Sequence, residues 1–169
     1  MQKIKHMMTQ LPLHWLHPGE LFVSRTPTLV TTILGSCVTV CLFHPLHRAG
    51  AMCHCLLPVG DHDRNNPTYR YVDSTLPRMM QALEETGLPL QGMQAKLFGG
   101  AIMTAKSAPA SATSLRVGPA NVEMARNVLK SLEIPLIAEC VGGHKGYKLF
   151  FNSGTGDVFL SRLGALMNS

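Results

Sequence analysis

The side chains with the most chemistry to offer in this 169-residue sequence gather in one stretch. Four of its five cysteines, Cys37, Cys41, Cys53 and Cys55, fall between positions 37 and 55, with His44, His47 and His54 among them; Cys140 stands apart. Thiols and imidazoles at such spacing can pair as disulfides, hold a metal, or work as nucleophile and base. An odd cysteine count with no export signal argues against a disulfide framework. A zinc site would draw on Cys37, Cys41, His44, Cys53 or Cys55. The stretch lacks paired CxxC spacing, however, and Cys53-His54-Cys55 on a strand would send its side chains alternately to opposite faces. No metal is expected. A cysteine at neutral pH is only a few per cent thiolate, so nucleophilic chemistry needs an activating neighbour. A histidine supplies one when its second ring nitrogen is held by an orienting partner.

The flanking elements decide which histidine can serve. Val38 to Phe43 (VTVCLF) and Ala49 to Leu57 (AGAMCHCLL) read as two strands, with His44-Pro45-Leu46-His47 as the turn between them, since Pro45 cannot continue a central ladder. A turn centred between Pro45 and Leu46 sets Phe43 opposite Arg48, Cys41 opposite Gly50, Thr39 opposite Met52, and Cys37 opposite His54. Opposed Cβ atoms lie about 4.5–5.5 Å apart, close enough for a thiol and an imidazole to share a proton. Alternation supports this arrangement. Val38, Val40, Leu42, Ala51, Cys53 and Cys55 form an apolar face that reads as core, while Cys37, Thr39, Cys41, Arg48, Met52 and His54 occupy the other. In this register the pair is Cys37 and His54, which can hold an imidazolium–thiolate couple. A slip of the register would set the two diagonally. Hydroxyls or carbonyls of the preceding strand, Thr28 to Thr32, could orient His54. Gly35 and Ser36 leave room for substrate backbone or for amides that meet an oxyanion. Cys41, Cys53, Cys55 and Cys140 read as structural.

The rest of the chain positions this hairpin. Leu21 to Ser24 and Thr28 to Leu34 read as strands. Val72 to Gly87 reads as a helix capped by Asp73 or Ser74, with Pro77 in its first turn and Leu76, Met79, Met80 and Leu83 on one stripe. Ala95 to Phe98 is a short strand before Gly99-Gly100. Asn121 to Leu132 is a second helix, with Val122, Ala125, Val128, Leu129 and Leu132 inward. Leu136 to Val141, Lys148 to Asn152 and Asp157 to Leu160 are strands. Gly60 to Thr68 and residues 104–114 read as loops. Strands in hairpins with two helices define an α+β class with mixed or antiparallel sheets. The expectation is one domain, 1–169, with residues 1–17 loosely ordered.

Composition narrows the classes. Apolar residues make up 46% and charged residues 15%, which excludes a disordered tail or a coiled coil. No apolar run approaches the ~18 residues of a membrane span. The N-terminal stretch has a basic start but no compact apolar segment and no small-residue cleavage site, so it reads as neither signal nor transit peptide. The expected compartment is the cytoplasm. The net charge of +5 is scattered and not interleaved with aromatics, which suits an acidic protein partner at least as well as a polynucleotide. No nucleic acid partner and no membrane insertion are expected.

Several ordered motifs resemble one family. Leu34-Gly35-Ser36-Cys37-Val38 with Val40-Cys41 is followed by Gly50-Ala51-Met52-Cys53-His54-Cys55-Leu56-Leu57-Pro58. Further on come Lys96-Leu97-Phe98-Gly99-Gly100-Ala101, Val117-Gly118 with Asn121, Val141-Gly142-Gly143 with Gly146, and Thr155-Gly156. Over roughly residues 18 to 160 the chain resembles the CheD family of chemoreceptor glutamine deamidases. The resemblance implies a sandwich of β-sheets flanked by helices, similar to the deamidase domain of cytotoxic necrotizing factor toxins. It implies hydrolysis of glutamine side-chain amides on methyl-accepting chemotaxis receptors through a thioester, a protein-glutamine glutaminase that needs no cofactor. It places the catalytic cysteine on Cys37, the histidine on His54, and a threonine six positions before the cysteine on Thr31. It also implies a CheC-type phosphatase as a partner, and with it a competing reading as a non-enzymatic adapter. Two places depart from the family pattern: Pro119-Ala120 before Asn121, and Tyr147 where the family usually carries arginine.

Overall fold

In the computed structural model, residues 1–60, 68–103 and 112–163 are described. The expected loops at Gly60 to Thr68 and 104–114 therefore lie largely outside the described residues. The chain runs α1 (Gln2–Gln10), β1 (Leu13–Trp15), β2 (Leu21–Ser24), β3 (Leu29–Leu34), β4 (Val38–His44), β5 (Ala49–Cys53), α2 (Val72–Glu85), β6 (Gln94–Gly99), α3 (Ala112–Ser131), β7 (Leu136–Val141), β8 (Tyr147–Asn152) and β9 (Val158–Arg162).

Two sheets result. One orders its strands β1-β3-β8-β9 and the other β2-β5-β4-β6-β7. Each holds one parallel pair, β1 with β3 and β6 with β7, among antiparallel neighbours. The α+β class with mixed sheets, expected from the sequence, is the class observed. Alternation along the strands dictates the layers. Val30 and Leu34 of β3, Leu149 and Phe151 of β8, Cys41 of β4, Met52 of β5 and Phe98 of β6 meet between the sheets. The opposite face of the five-stranded sheet, with Val38, Val40, Leu42, Ala51, Cys53 and Cys55, packs under α2 and α3 through Leu76, Met79, Leu83, Val122, Ala125 and Leu129. The stripes expected on both helices supply these contacts, and emptying such a site by Leu129→Ala would cost about 2–5 kcal/mol. Met7 of α1 covers Leu29 and Phe150 on the outside of the four-stranded sheet.

Four expectations are corrected. Residues 1–17 are not loose: they hold α1 and β1. Helix α3 begins at Ala112, so 112–114 are helical, and it runs through Gly118 and Pro119. Helix α2 has Tyr71 at its N-cap with no side-chain cap, which leaves Pro77 beyond the first turn. The fourth concerns the hairpin register. The sequence expects Cys41 opposite Gly50, but the structure pairs Cys41 with Met52, Phe43 with Gly50 and His44 with Ala49. Arg48 is the cause. It adopts φ +49, and its N–H donates to His44 O at 2.8 Å, so Pro45 to Arg48 all belong to the turn. The pairing moves by two positions. A two-residue shift keeps every side chain on its face, so the division into core face and reactive face stands.

Candidate active site

The shifted register sets the relation of Cys37 to His54. Val38 and Cys55 form an isolated antiparallel bridge, exchanging backbone hydrogen bonds of 3.0 and 2.9 Å. Cys37 and His54 are the residues just before each. They share the face between the sheets and stand diagonally, not directly opposite. Diagonal neighbours have Cα atoms about 7–8 Å apart, within reach of longer side chains. No hydrogen bond joins thiol and imidazole in this arrangement.

His54 is 2% exposed and its environment fixes its protonation. Nδ1 lies 2.7 Å from Thr32 Oγ1, and the same hydroxyl donates to Leu16 O at 2.7 Å. A hydroxyl has one proton. Since the Leu16 carbonyl can only accept, Thr32 gives its proton there and accepts from Nδ1–H. The neutral ring therefore carries its lone pair on Nε2, which is buried with no hydrogen-bond partner among the described residues. Burial, with a smaller push from nearby His17, lowers the His54 pKa to about 4. The backbone of His54 is tied as well: its N–H donates to Glu20 O at 3.2 Å, and its carbonyl accepts from Gly19 at 2.8 Å.

Cys37 sits in the bend between β3 and β4 and is partly exposed. The carbonyls of this bend all face the fold. Gly35 O accepts from Ala101 N–H at 2.9 Å, Ser36 O from Asn121 Nδ2 at 3.1 Å, and Cys37 O from Gly100 N–H at 2.8 Å. Gly99 permits this approach: it has φ +103, and a Cβ there would collide with Cys37 O. Burial pushes the Cys37 thiol up from 9.0, opposed by its own backbone N–H. Tyr147 braces the same turn. Its hydroxyl accepts from Gly99 N–H at 2.7 Å and donates to Cys140 O at 2.6 Å, and burial pushes its pKa up to about 12.

The structure thus brings Cys37, His54, Gly35 and Ser36 to one corner, but it does not bring Thr31 there. Thr31 shares the outward face of β3 with Leu29, and its hydroxyl donates to Leu149 O at 2.9 Å. Thr32, with Val30 and Leu34, points between the sheets and meets His54. Position in the alternation decides this, and the run Thr31-Thr32 hides it from sequence reading. The imidazolium–thiolate couple is not favoured either, because burial moves both groups toward their neutral forms. The other cysteines divide by face. Cys53 and Cys55 lie 3.7 Å apart at sulfur in the core under the helices, Cys41 is buried between the sheets, and Cys140 is exposed. Among the described residues, no three His, Cys, Asp or Glu side chains converge as a metal-ligand set. Sequence reading missed the Leu16 carbonyl, His17 and the Tyr147 hydroxyl, none of which carries a local signal of its role.

Fold and site define an α+β protein of two stacked, helix-covered sheets with a cysteine and a tautomer-fixed histidine at one corner. A family model described as "CheD chemotactic sensory transduction" matches residues 56–162. The "Probable chemoreceptor glutamine deamidase CheD 2" of Geobacter sulfurreducens is 44% identical over 154 residues, covering 91% of this chain and 92% of that protein. The "Probable chemoreceptor glutamine deamidase CheD" of Maridesulfovibrio salexigens is 34% identical, covering 88% and 91%. The chain belongs to the CheD family. Among solved structures, a Neisseria meningitidis protein of the DUF152 family aligns over 84% of this chain and 66% of that one, at 12% identity and a TM-score of 0.46. That likeness is too distant to carry an argument about the site.

Proposed function

We propose that this protein hydrolyses glutamine side-chain amides of chemotaxis receptors to glutamates, with Cys37 as nucleophile and His54 as acid and base. One observation carries the reading: Thr32, its own proton committed to Leu16 O, accepts Nδ1–H and leaves a bare Nε2 on the face that Cys37 shares. The names of the relatives, chemoreceptor glutamine deamidases, supply the substrate class.

The resting pair is neutral. Burial raises the Cys37 thiol and lowers the His54 imidazole, so the proton rests on sulfur. Proton transfer then accompanies attack. Nε2 takes the thiol proton as Sγ bonds to the carboxamide carbon, and the carbonyl oxygen becomes an oxyanion. Amides of the Gly35–Cys37 bend, whose carbonyls are already engaged, meet that charge. The imidazolium, a strong acid with its pKa near 4, protonates the amide nitrogen. The C–N bond breaks, ammonia leaves, and a thioester remains. Nε2 then takes a proton from water, whose oxygen attacks the thioester carbon. The C–S bond breaks, sulfur recovers the proton, and a glutamate is released. No group outside the chain is required.

This reading puts the reaction in the cytoplasm, on the receptors' signalling helices. No helix among the described residues is long and apolar enough to cross a membrane. The test is intact-mass analysis of a receptor cytoplasmic fragment incubated with wild type or Cys37→Ala, with peptide mapping. A mass gain at glutamines with wild type alone is expected. A gain that survives Cys37→Ala, or none with a folded cognate receptor, overturns the reading.

A further inference from the structure

Asn121 is a polar residue where the packing asks for an apolar one. It lies on the inward face of α3 beside Val122, Ala125 and Leu129, and it is 0% exposed. Its Oδ1 is buried with no hydrogen-bond partner among the described residues. An aliphatic side chain would avoid that orphaned acceptor, so the amide needs another justification. Its Nδ2 provides one. It donates to Ser36 O at 3.1 Å and to Leu56 O at 2.9 Å. Two carbonyls can be met together only by the NH2 group, which fixes the orientation of the amide.

Those two carbonyls lie beside the two residues of the proposed dyad. Ser36 precedes Cys37, and Leu56 follows His54 by two residues. Beyond the Val38–Cys55 bridge, β4 has no further backbone pairing with that segment. Asn121 is therefore a third tie across the pair, made just where the ladder runs out. Helix α3 is seated for this task. A Cβ on Gly118, one turn earlier, would lie 2.5 Å from Ala101 O and 2.6 Å from Gly100 O, so the helix rests directly on the turn that binds Cys37 O.

We infer that Asn121 is a positioning residue that fixes the separation of Cys37 from His54 by bridging Ser36 O and Leu56 O. The inference rests on the proposed roles of those two residues. Asn121 touches neither reacting group and acts only through the backbone.

The experiment compares wild type with Asn121→Leu, which keeps size and removes both donors, and with Asn121→Ser should the leucine variant not fold. Circular dichroism and melting establish folding. Receptor-fragment deamidation gives kcat and KM. Iodoacetamide, itself a carboxamide, reports the dyad without any receptor: its rate at Cys37 is measured at pH 7 with and without H54A, in a Cys140→Ser background. The expected result is a folded variant with kcat at least tenfold lower and KM within threefold. H54A should slow alkylation at least tenfold in wild type and less than threefold in the Asn121 variant. A purely structural loss would lower stability without erasing that dependence. The inference is overturned if a folded variant keeps kcat within twofold, or if H54A slows alkylation equally in both backgrounds. Should wild type deamidate nothing while the alkylation dependence still collapses in the variant, the deamidase reading falls and the positioning role stands.

Discussion

The contrast between Thr31 and Thr32 separates the geometry from the family expectation. Thr32→Val keeps the shape and removes the hydroxyl between Leu16 O and His54 Nδ1. Two buried groups lose their partner, each at about 1–3 kcal/mol, so the variant should lose about 2–6 kcal/mol out of a total stability of about 5–15 kcal/mol. The catalytic loss has a separate origin. In the transition state the ring is positively charged, and a hydrogen bond to a charged group is worth about 1.5–3 kcal/mol. Losing it lowers kcat about tenfold to a hundredfold, at about 1.4 kcal/mol per factor of ten. Thr32→Ser restores the hydroxyl and should recover most of the rate. Thr31→Val removes only the bond to Leu149 O, should cost about 1 kcal/mol, and should leave kcat within threefold. Urea midpoints and receptor-fragment kinetics by mass spectrometry measure both quantities. A folded Thr32→Val enzyme with kcat within threefold of wild type would refute the reasoning, as would Thr31→Val falling as far as Thr32→Val.

Three further outcomes follow from the site. In a Cys140→Ser background, the Cys37 alkylation rate should keep rising with pH beyond 9, because burial raises the thiol; a plateau at pH 6–7 would mean a preformed thiolate. Stability should fall as pH drops from about 6.5 toward 4. Over that range the unfolded histidine binds a proton that buried His54, with its pKa near 4, does not, a difference of about 3 kcal/mol. Denaturant titrations of wild type and His54→Gln should show that increment in wild type only, and parallel pH profiles would sink the idea. Tyr147→Phe leaves Gly99 N–H and Cys140 O without their partner, and should cost about 1–3 kcal/mol with a few-fold loss of kcat. An unchanged melting temperature would show that Tyr147 does not brace the turn.

What the sequence could disclose depended on whether the signal was local. The alternation of Val38, Val40 and Leu42 against Cys37, Thr39 and Cys41 is local, and it placed the cysteines on their faces even though the turn was misjudged. The register was not local. It depends on Arg48 taking a left-handed conformation, which that residue rarely adopts and which here accompanies a bond from its side chain to Gly154 O. Helix α1 lacks an acidic first turn and a side-chain cap, so little in its own sequence marks it; Met7 packing on Leu29 and Phe150 gives it a place. The sequence expects this helix only from Asn121, yet α3 begins at Ala112 and runs through Gly118 and Pro119, and a glycine at 118 lets the helix lie on the Gly100–Ala101 turn.

The same distinction explains the candidate site. Cys37 and His54 lie on one hairpin, and side-chain parity within a hairpin survives an error of two residues. The threonine comes from the other sheet. Which of two adjacent threonines reaches His54 depends on the phase of β3 relative to a partner sheet far away in sequence, and β3 is buried on both faces nearly throughout, so its residues show no alternation to reveal that phase. The pKa directions are equally non-local. Adjacency of thiol and imidazole suggests an ion pair, but stacking one sheet on the other removes water from both groups and favours their neutral forms. In the proposed mechanism, a neutral pair with Nε2 bare and Nδ1 anchored transfers its proton only when a substrate carbon arrives. That sets the design apart from a standing thiolate, which would react with any electrophile able to reach the half-exposed bend.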